Sequence, residues 1–306
     1  MAPRSKRHAA VEPLGTPLPE DSIPATRLAA LAFALAAIAG VVPPSLRAQE
    51  EEEEEQLSRV WRIEGLRTGF CVQLLVDPQR LDVTIPGDAR PLRADAIQDL
   101  NPVLRNVISN QPEFAGWTPS TICLYYMETV DLGSLRVSEQ DPDKAPMIGV
   151  WSLAAADVAG GGRKDAVLRF FTNTGRLERA GQVNGLDLRK VRSTVRDIEN
   201  DYDATAPPIG IRYQFKLGKT LLTWDGRRVS DSTRANGPVS SDWRADSRRR
   251  GRMTARLTLT PEWTKAMAGS LRVEGEDDFA DAIKSSPVRF VGPAVLGGGG
   301  ELAFGR

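Results

Sequence analysis

The most constraining feature of this sequence is a segment that alternates strictly between apolar and polar side chains. Its apolar members are Ile211, Tyr213, Phe215 and Leu217, and its polar members are Arg212, Gln214 and Lys216. A period of two is typical of a β-strand with one buried face. Gly218-Lys219 follows directly and Asp225-Gly226 follows the next apolar run, and turns this short join only antiparallel strands. The segment therefore predicts an antiparallel meander.

Strand patterns recur along the rest of the chain. They lie at residues 60–66, 70–76, 122–130, 135–137, 147–155, 166–172, 252–260 and 288–291. Helical spacing of apolar residues is confined to short stretches, at residues 92–108, 188–198, 261–268 and 277–283. This predicts an α+β fold that is mainly antiparallel β, built as a curled sheet or partly open β-barrel with a few short helices. We expect one β-rich domain over residues 57–304.

The first 48 residues have the organisation of a cleavable signal peptide. Basic residues precede an apolar run at residues 28–42, which is shorter than the roughly 20 residues that a helix needs to cross a bilayer. We expect cleavage after Ala48, which leaves an acidic, disordered lead-in at residues 49–56 and no stable membrane span. An uncleaved N-terminal anchor is the alternative. Cleavage predicts a periplasmic or secreted protein.

Charge and histidine content restrict the chemistry. The chain has 40 Lys+Arg and 40 Asp+Glu, a balance that predicts no nucleic-acid partner. The single histidine, His8, lies in the segment expected to be removed, which excludes Ser-His-Asp and Cys-His catalysis and zinc sites built on imidazole. Acidic clusters at residues 197–203 and 274–278 lack the spacing of a calcium-binding loop. We therefore expect no metal, no cofactor and no recognised catalytic motif, which favours a protein that is not an enzyme.

Cys71 and Cys123 lie in separate apolar stretches. In an oxidising compartment an even pair of cysteines favours a disulfide over free thiols. Two small buried hydrophobic side chains are the alternative.

A polar stretch at residues 227–251 is too long for an ordinary connection, and we interpret it as a mobile or functional loop. Its candidate anion-binding residues are Trp243, Arg244, Arg248, Arg249 and Arg250. Guanidinium groups can pair with an anion while the indole stacks on it. The alternative is a solvated loop whose charge is balanced by Asp242 and Asp246.

Residues 70–92 carry a short resemblance to a known family. A strand is followed by Asp77-Pro78, then by Ile85-Pro86-Gly87 and Pro91-Leu92. This order resembles the opening of acetoacetate decarboxylase-like proteins, in which a strand leads into a Leu-Pro-Pro-Gly segment. The resemblance implies a cone-shaped antiparallel β-barrel around a small cavity. The family's catalytic lysine sits in a Gly-aromatic-Pro-Lys segment, and no Pro-Lys pair occurs in this chain.

Three functions remain open from the sequence. The leading one is an exported protein that binds a small-molecule or lipid-like, amphipathic ligand inside the curled sheet. The second is an acetoacetate decarboxylase-like lyase, which needs a lysine whose pKa is lowered by burial. The third is a structural or interaction protein of the cell envelope that uses residues 227–251 as its contact surface. An interior cavity would favour the first two functions, and a filled core would favour the third.

Overall fold

The computed structural model describes residues 59–81, 85–139, 145–157, 163–198, 209–229, 231–247 and 251–305. The expected signal peptide and acidic lead-in lie outside the described residues. The strands are β1 (Arg59–Val76), β2 (Ala89–Pro91), β3 (Thr118–Asp131), β4 (Arg136–Ser138), β5 (Met147–Asp157), β6 (Arg163–Thr172), β7 (Leu188–Lys190), β8 (Arg192–Ile198), β9 (Gly210–Leu217), β10 (Thr220–Arg228), β11 (Thr233–Arg234), β12 (Val239–Ser247), β13 (Gly251–Thr260), β14 (Trp263–Lys265), β15 (Met267–Glu274), β16 (Arg289–Val291), β17 (Ala294–Leu296) and β18 (Gly299–Gly305). The α-helices are α1 (Pro102–Asn110), α2 (Gly175–Asn184) and α3 (Asp278–Ser285). The predicted α+β class, mainly antiparallel β with a few short helices, is confirmed.

Most of the strands belong to one large sheet of 14 strands. Its pairings run through β1, β18, β13, β12, β6, β5 and β3 and then return to β1. The return is possible because β1 pairs with β18 along one edge and with β3 along the other. Within this circuit only the pairing of β6 with β12 is parallel, and it spans two residue pairs. The sheet therefore curls around on itself, as expected.

Apolar side chains fill the interior of the curled sheet. The members of this inner core include Trp61, Ile63, Cys123, Tyr125, Val150, Val167, Phe170, Leu186, Leu188, Trp243, Ala245, Met253, Leu257, Leu302 and Phe304. Trp61 meets Phe304 edge to face, with ring centroids 5.2 Å apart. Each side chain of this kind stabilises the fold by about 1.5–3 kcal/mol relative to an exposed position. These described side chains thus form one packed hydrophobic cluster inside the curled sheet.

A second, four-stranded sheet of β8, β9, β10 and β15 packs on the outer face of the large sheet. The alternating segment of the sequence is its strand β9, with the apolar residues buried and Arg212, Gln214 and Lys216 exposed. Rings from both sheets meet at the contact: Phe70 lies 4.0 Å from Tyr213 and 4.8 Å from Trp224 between centroids. The meander predicted from the alternation is confirmed.

Helix α3 begins where the sequence predicts. Asp277 accepts a hydrogen bond from the backbone N–H of Ala280 at 3.0 Å, which satisfies one of the free donors at the helix start. Phe279 and Ile283 are buried against the second sheet, so the helix closes one side of the contact between the two sheets.

Several sequence interpretations are wrong. Residues 188–198 form strands β7 and β8 rather than a helix. The two strands are separated at Val191, which interrupts the period of two and gives the apolar residues a spacing close to that of a helix. Residues 263–265 form strand β14 and strand β15 begins at Met267, so residues 261–268 are not the short helix that was expected. The runs at 60–66 and 70–76 form the single strand β1, with a register shift between Leu66 and Thr68, rather than two separate strands.

The polar stretch 227–251 is not a loop over its whole length. It contains the end of β10, the short strand β11 and the nine-residue strand β12. In β12 the polar residues Asp242, Arg244 and Asp246 alternate with buried Trp243 and Ala245. Only two apolar residues face the core there, so the strand was hidden by its polar outer side.

The disulfide between Cys71 and Cys123 is present, with an S–S distance of 2.04 Å. The two residues stand directly opposite each other on β1 and β3, and Cys123 belongs to the inner core. Among the described residues, no helix is both long and apolar enough to cross a bilayer.

Candidate functional site

The edge of β6 that faces away from β5 is paired at its two ends but not between them. Asp165 and Ala166 pair with β12, and residues 170–172 pair with β7. Within the described part of the chain, residues 167–169 have no partner strand on this edge. Beyond Arg244, strand β12 stays with β13 and leaves β6. We call the resulting gap the seam.

A β-bulge lies at the seam. In the antiparallel pairing of β5 and β6, Trp151 stands opposite Arg169 and the next residue, Ser152, stands opposite Val167. Leu168 is therefore an extra residue without a partner in β5. Because bulges bend a strand and are frequent at the rims of barrels, this one accounts for the departure of β6 from β12.

Helix α2 and strand β7 form the opposite wall of the seam. The Thr174 hydroxyl accepts a hydrogen bond from the Leu177 N–H at 3.2 Å and caps the start of α2. Gly185, with φ of 95°, ends the helix in the left-handed conformation that glycine adopts without strain. The chain then turns back, and Leu186 donates its N–H to the Gly181 carbonyl at 2.9 Å. This turn places Leu186 and Leu188 against the inner core.

These elements enclose a pocket with an empty volume of about 380 Å³, part of which is open to solvent. We call it the seam pocket. Its floor consists of the inner-core residues Val167, Phe170, Leu186, Ala245 and Met253. Its remaining lining residues are Leu168, Arg169, Gly185, Asp187, Arg189 and Asp246. An apolar floor beneath a rim of both charge signs is an arrangement that can hold an amphipathic molecule.

The rim carboxylates have weak contacts with their neighbours. Asp187 lies 3.9 Å from the Arg189 guanidinium, and both side chains are 44% exposed. Asp246 accepts a hydrogen bond from the Gly87 backbone N–H at 3.2 Å. Exposed pairs of this kind contribute roughly 0–1 kcal/mol, so the rim groups can exchange their contacts for a ligand at little cost.

A titratable carboxyl lies beside the seam. Burial raises the pKa of Asp165 to about 6, an effect that Arg163 partly opposes. Burial also raises the pKa of Tyr125 in the inner core, and the charge of Asp165 raises it further. The Tyr125 hydroxyl lies 3.6 Å from the Cys71 sulfur. Asp165 therefore lies at the start of the seam and is close enough to the inner core for its charge to affect the Tyr125 hydroxyl.

The structure describes two of the five residues of the expected anion-binding cluster, Trp243 and Arg244. Trp243 is 2% exposed and packs against Phe170 with ring centroids 5.8 Å apart, so its ring lies in the core beneath the seam pocket. Arg244 is half-buried next to Ala166, at the β6–β12 pairing. Arg248, Arg249 and Arg250 lie outside the described residues. The sequence approach missed the seam because nothing in β6 or β12 indicates which strand edges remain unpaired.

None of the lysines in the described part of the chain is buried. They are Lys164, Lys190, Lys216, Lys219, Lys265 and Lys284, and they range from half-buried to exposed. Since a Schiff-base lysine depends on burial for its lowered pKa, these residues offer no candidate for the lyase alternative. Lys144 lies outside the described residues.

Asp277, one of the acidic residues considered for calcium, makes hydrogen bonds within the protein. Asp277 caps α3 and accepts a hydrogen bond from the Thr220 hydroxyl. Hydrogen bonds to Thr220 and to backbone N–H groups hold the pKa of Asp277 below its usual value, against the opposing effect of burial. Its position is explained by the helix that it starts.

Comparison with known proteins yields a distant likeness. No protein-family model and no curated protein matches the chain. The chain is similar to a solved structure of the enduracididine biosynthesis enzyme MppR with HEPES buffer bound, at 14% identity and a TM-score of 0.43 over 80% of this chain and 86% of that chain. It is also similar to an acetoacetate decarboxylase-like enzyme from Sphingomonas wittichii RW1, at 10% identity and a TM-score of 0.38 over 80% of this chain and 90% of that chain. The similar structures thus include an acetoacetate decarboxylase-like enzyme, the family that residues 70–92 resemble. At this identity and TM-score, the likeness says nothing about the activity of this chain.

Proposed function

We propose that this protein binds a small amphipathic molecule in the seam pocket. The observation that carries the proposal is the stretch of β6 at residues 167–169, which has no neighbouring strand among the described ones on the side away from β5 and lies beside a pocket with an apolar floor and a charged rim. The apolar part of the ligand would lie beside Leu168, above Phe170, Leu186 and Met253, whose side chains are 1–3% exposed in the free protein. Its polar head would meet the rim, where Arg189 and Asp187 offer a cation and an anion.

The energetics support this assignment. Apolar ligand surface placed on the floor contributes about 25 cal/mol per Å². A charge-assisted hydrogen bond at the rim adds roughly 1.5–3 kcal/mol.

We further propose that the protein works outside the cytoplasm, in the periplasm or as a secreted protein. The Cys71–Cys123 disulfide supports this location, because such bonds persist in oxidising compartments. The signal-like organisation of residues 1–48 supports it independently. Fractionation of the producing cells, followed by intact mass and N-terminal sequencing, tests the proposal. We expect an extracytoplasmic protein that begins near Gln49 and has no free thiol; a cytoplasmic protein with its original N-terminus would contradict it.

Titration with 8-anilinonaphthalene-1-sulfonate tests the binding function, since this probe joins apolar rings to an anionic group. We expect saturable binding to one site on the folded protein. Ala245→Leu adds bulk to the floor of the pocket and should weaken binding about tenfold, or 1.4 kcal/mol.

Val183→Leu is the matched control, because Val183 is 68% exposed on α2 and does not line the pocket. This variant should bind the probe as the wild type does. Equal binding by the wild type and by both variants would show that the probe binds elsewhere. Native mass spectrometry of the protein purified from its producing cells would then reveal whether a natural ligand remains bound.

A further inference from the structure

The second sheet has an outer face that points away from the large sheet and carries mostly positive charge. On its four strands, residues alternate between buried positions that contact the large sheet and positions that point outward. The outward basic residues are Arg192, Arg196, Arg212, Lys216, Arg227 and Arg272, and the outward acidic residues are Asp225 and Glu274. We call this surface the basic face.

The strand register brings these charges close together. Arg196 stands opposite Arg212, and Arg212 stands opposite Asp225 in the next strand. In a neighbouring row Arg192 stands opposite Lys216. Adjacent strands lie about 4.8 Å apart and alternate residues of a strand about 6.6–7 Å apart, so the basic side chains form a dense two-dimensional array.

One of the outward acidic residues contacts two of these cations. Asp225 lies 2.5 Å from the Arg212 guanidinium and 3.4 Å from that of Arg272, so one carboxylate is shared between two cations. The whole chain has equal numbers of basic and acidic residues. Among the described residues of this sheet, the outward positions hold six basic and two acidic side chains, so positive charge predominates on the face.

The chemistry of the face distinguishes between polyanions. Among the described side chains of these four strands, all the aromatic ones point toward the large sheet and none points outward. Recognition of single-stranded nucleic acid uses aromatic stacking on bases, and binding at a membrane interface uses apolar or aromatic side chains that insert. The basic face has no outward aromatic side chain among its described residues, and its outward apolar residues Leu221 and Ile198 are half-buried. Its guanidinium and ammonium groups suit carboxylate or sulfate groups repeated along a hydrophilic chain.

We infer that the basic face binds an acidic polysaccharide. This surface lies on the second sheet, and the inference does not depend on a ligand in the seam pocket. The attraction between this exposed face and an anionic polysaccharide is electrostatic, so binding should weaken as ionic strength rises.

Binding of the full-length protein to polygalacturonate, measured by calorimetry at low and physiological ionic strength, tests the inference. The variant R192Q/K216Q/R227Q removes three exposed cations from the face. We expect it to weaken binding at least about tenfold and to reduce the dependence on salt. The matched control, R90Q/R176Q/R234Q, removes the same charge from exposed positions outside the second sheet.

The control variant should bind within about twofold of the wild type. Equal weakening in both triple variants would show that only net charge matters and would overturn the inference. It would also be overturned if the wild type bound single-stranded DNA or phosphatidylglycerol vesicles more tightly than polygalacturonate at the same ionic strength. Circular dichroism of both variants establishes that they are folded.

Discussion

Val167 and Phe170 both face the inner core although they are three residues apart on the same strand. A regular strand would place them on opposite faces, since side chains alternate with a period of two. The extra residue Leu168 restores the alternation by shifting the register against β5. The same bulge keeps residues 167–169 away from β12, so one local irregularity explains both the core packing and the seam pocket.

Deletion of Leu168 should close the seam while preserving the faces of β6. Without this residue, Val167 and Phe170 still point inward in a regular strand, and the pairings with β12 and β7 move closer by roughly 3.3 Å. We expect a folded protein whose affinity for the amphipathic probe falls at least about tenfold. Leu168→Ala shortens the same side chain but keeps the bulge; since Leu168 lines the pocket, it should weaken binding, but less than the deletion does. Equal probe affinity in the two variants would contradict the role given to the bulge.

Asp165 should make the stability depend on pH. Its pKa rises from 3.8 to about 6 on folding, so the folded state keeps this proton after the unfolded state has lost it. The contribution of Asp165 to the free energy of unfolding is therefore greatest below about pH 4. It decreases by about 1–3 kcal/mol as the pH rises through 6. Urea unfolding of Asp165→Asn from pH 4 to 8 should show a flatter profile and a more stable protein at pH 8. Asp187→Asn, at an exposed carboxylate, is the control and should follow the wild type.

The disulfide should contribute substantially to stability. Cys71 and Cys123 are 52 residues apart, and the chain-entropy model gives about 4 kcal/mol for a loop of this length. The Cys71→Ala/Cys123→Ala variant should lose roughly 2–4 kcal/mol of unfolding free energy in denaturant. Reduction of the wild type should produce a similar loss. If the unfolding free energies of the wild type and the double variant differ by less than about 0.5 kcal/mol, then residual pairing of β1 with β3 already restricts the unfolded chain.

The hydrogen bond between Thr68 and Tyr213 joins the large sheet to the second sheet. Both residues are buried, at 3% and 2% exposure, so loss of one hydroxyl leaves the other without its partner. Tyr213→Phe should cost about 1–3 kcal/mol. Thr68→Val/Tyr213→Phe should be less destabilised than the sum of the two single variants, with a coupling of about 1 kcal/mol in thermal or urea unfolding. Strict additivity would show that the two hydroxyls do not interact.

The sequence was most informative where one face of an element is buried and the other is not. The alternation at residues 211–217 and the helical spacing at residues 277–283 follow local rules, and the structure has a strand and a helix there as expected. The cysteine pair was also recognised. In each case the signal is contained in a few neighbouring residues.

The seam pocket could not be predicted because it depends on which strands pair. Asp165 and Phe170 lie five residues apart, and their different partners, β12 and β7, come from distant parts of the chain. The β12 strand was concealed by its polar outer residues, which led to the interpretation of 227–251 as a loop. Sequence patterns identify the buried faces of strands, but not the edges that remain unpaired.

Hydrogen–deuterium exchange with and without a bound amphiphile tests the central claim most directly. Peptides that cover residues 163–172 and 185–190 should exchange more slowly when decylphosphocholine is added below its micelle concentration. Peptides that cover β9 on the second sheet should be unchanged. Protection confined to the two walls of the seam would support a ligand site there. Unchanged exchange at residues 163–172 under saturating amphiphile, or uniform protection of the whole protein, would contradict it.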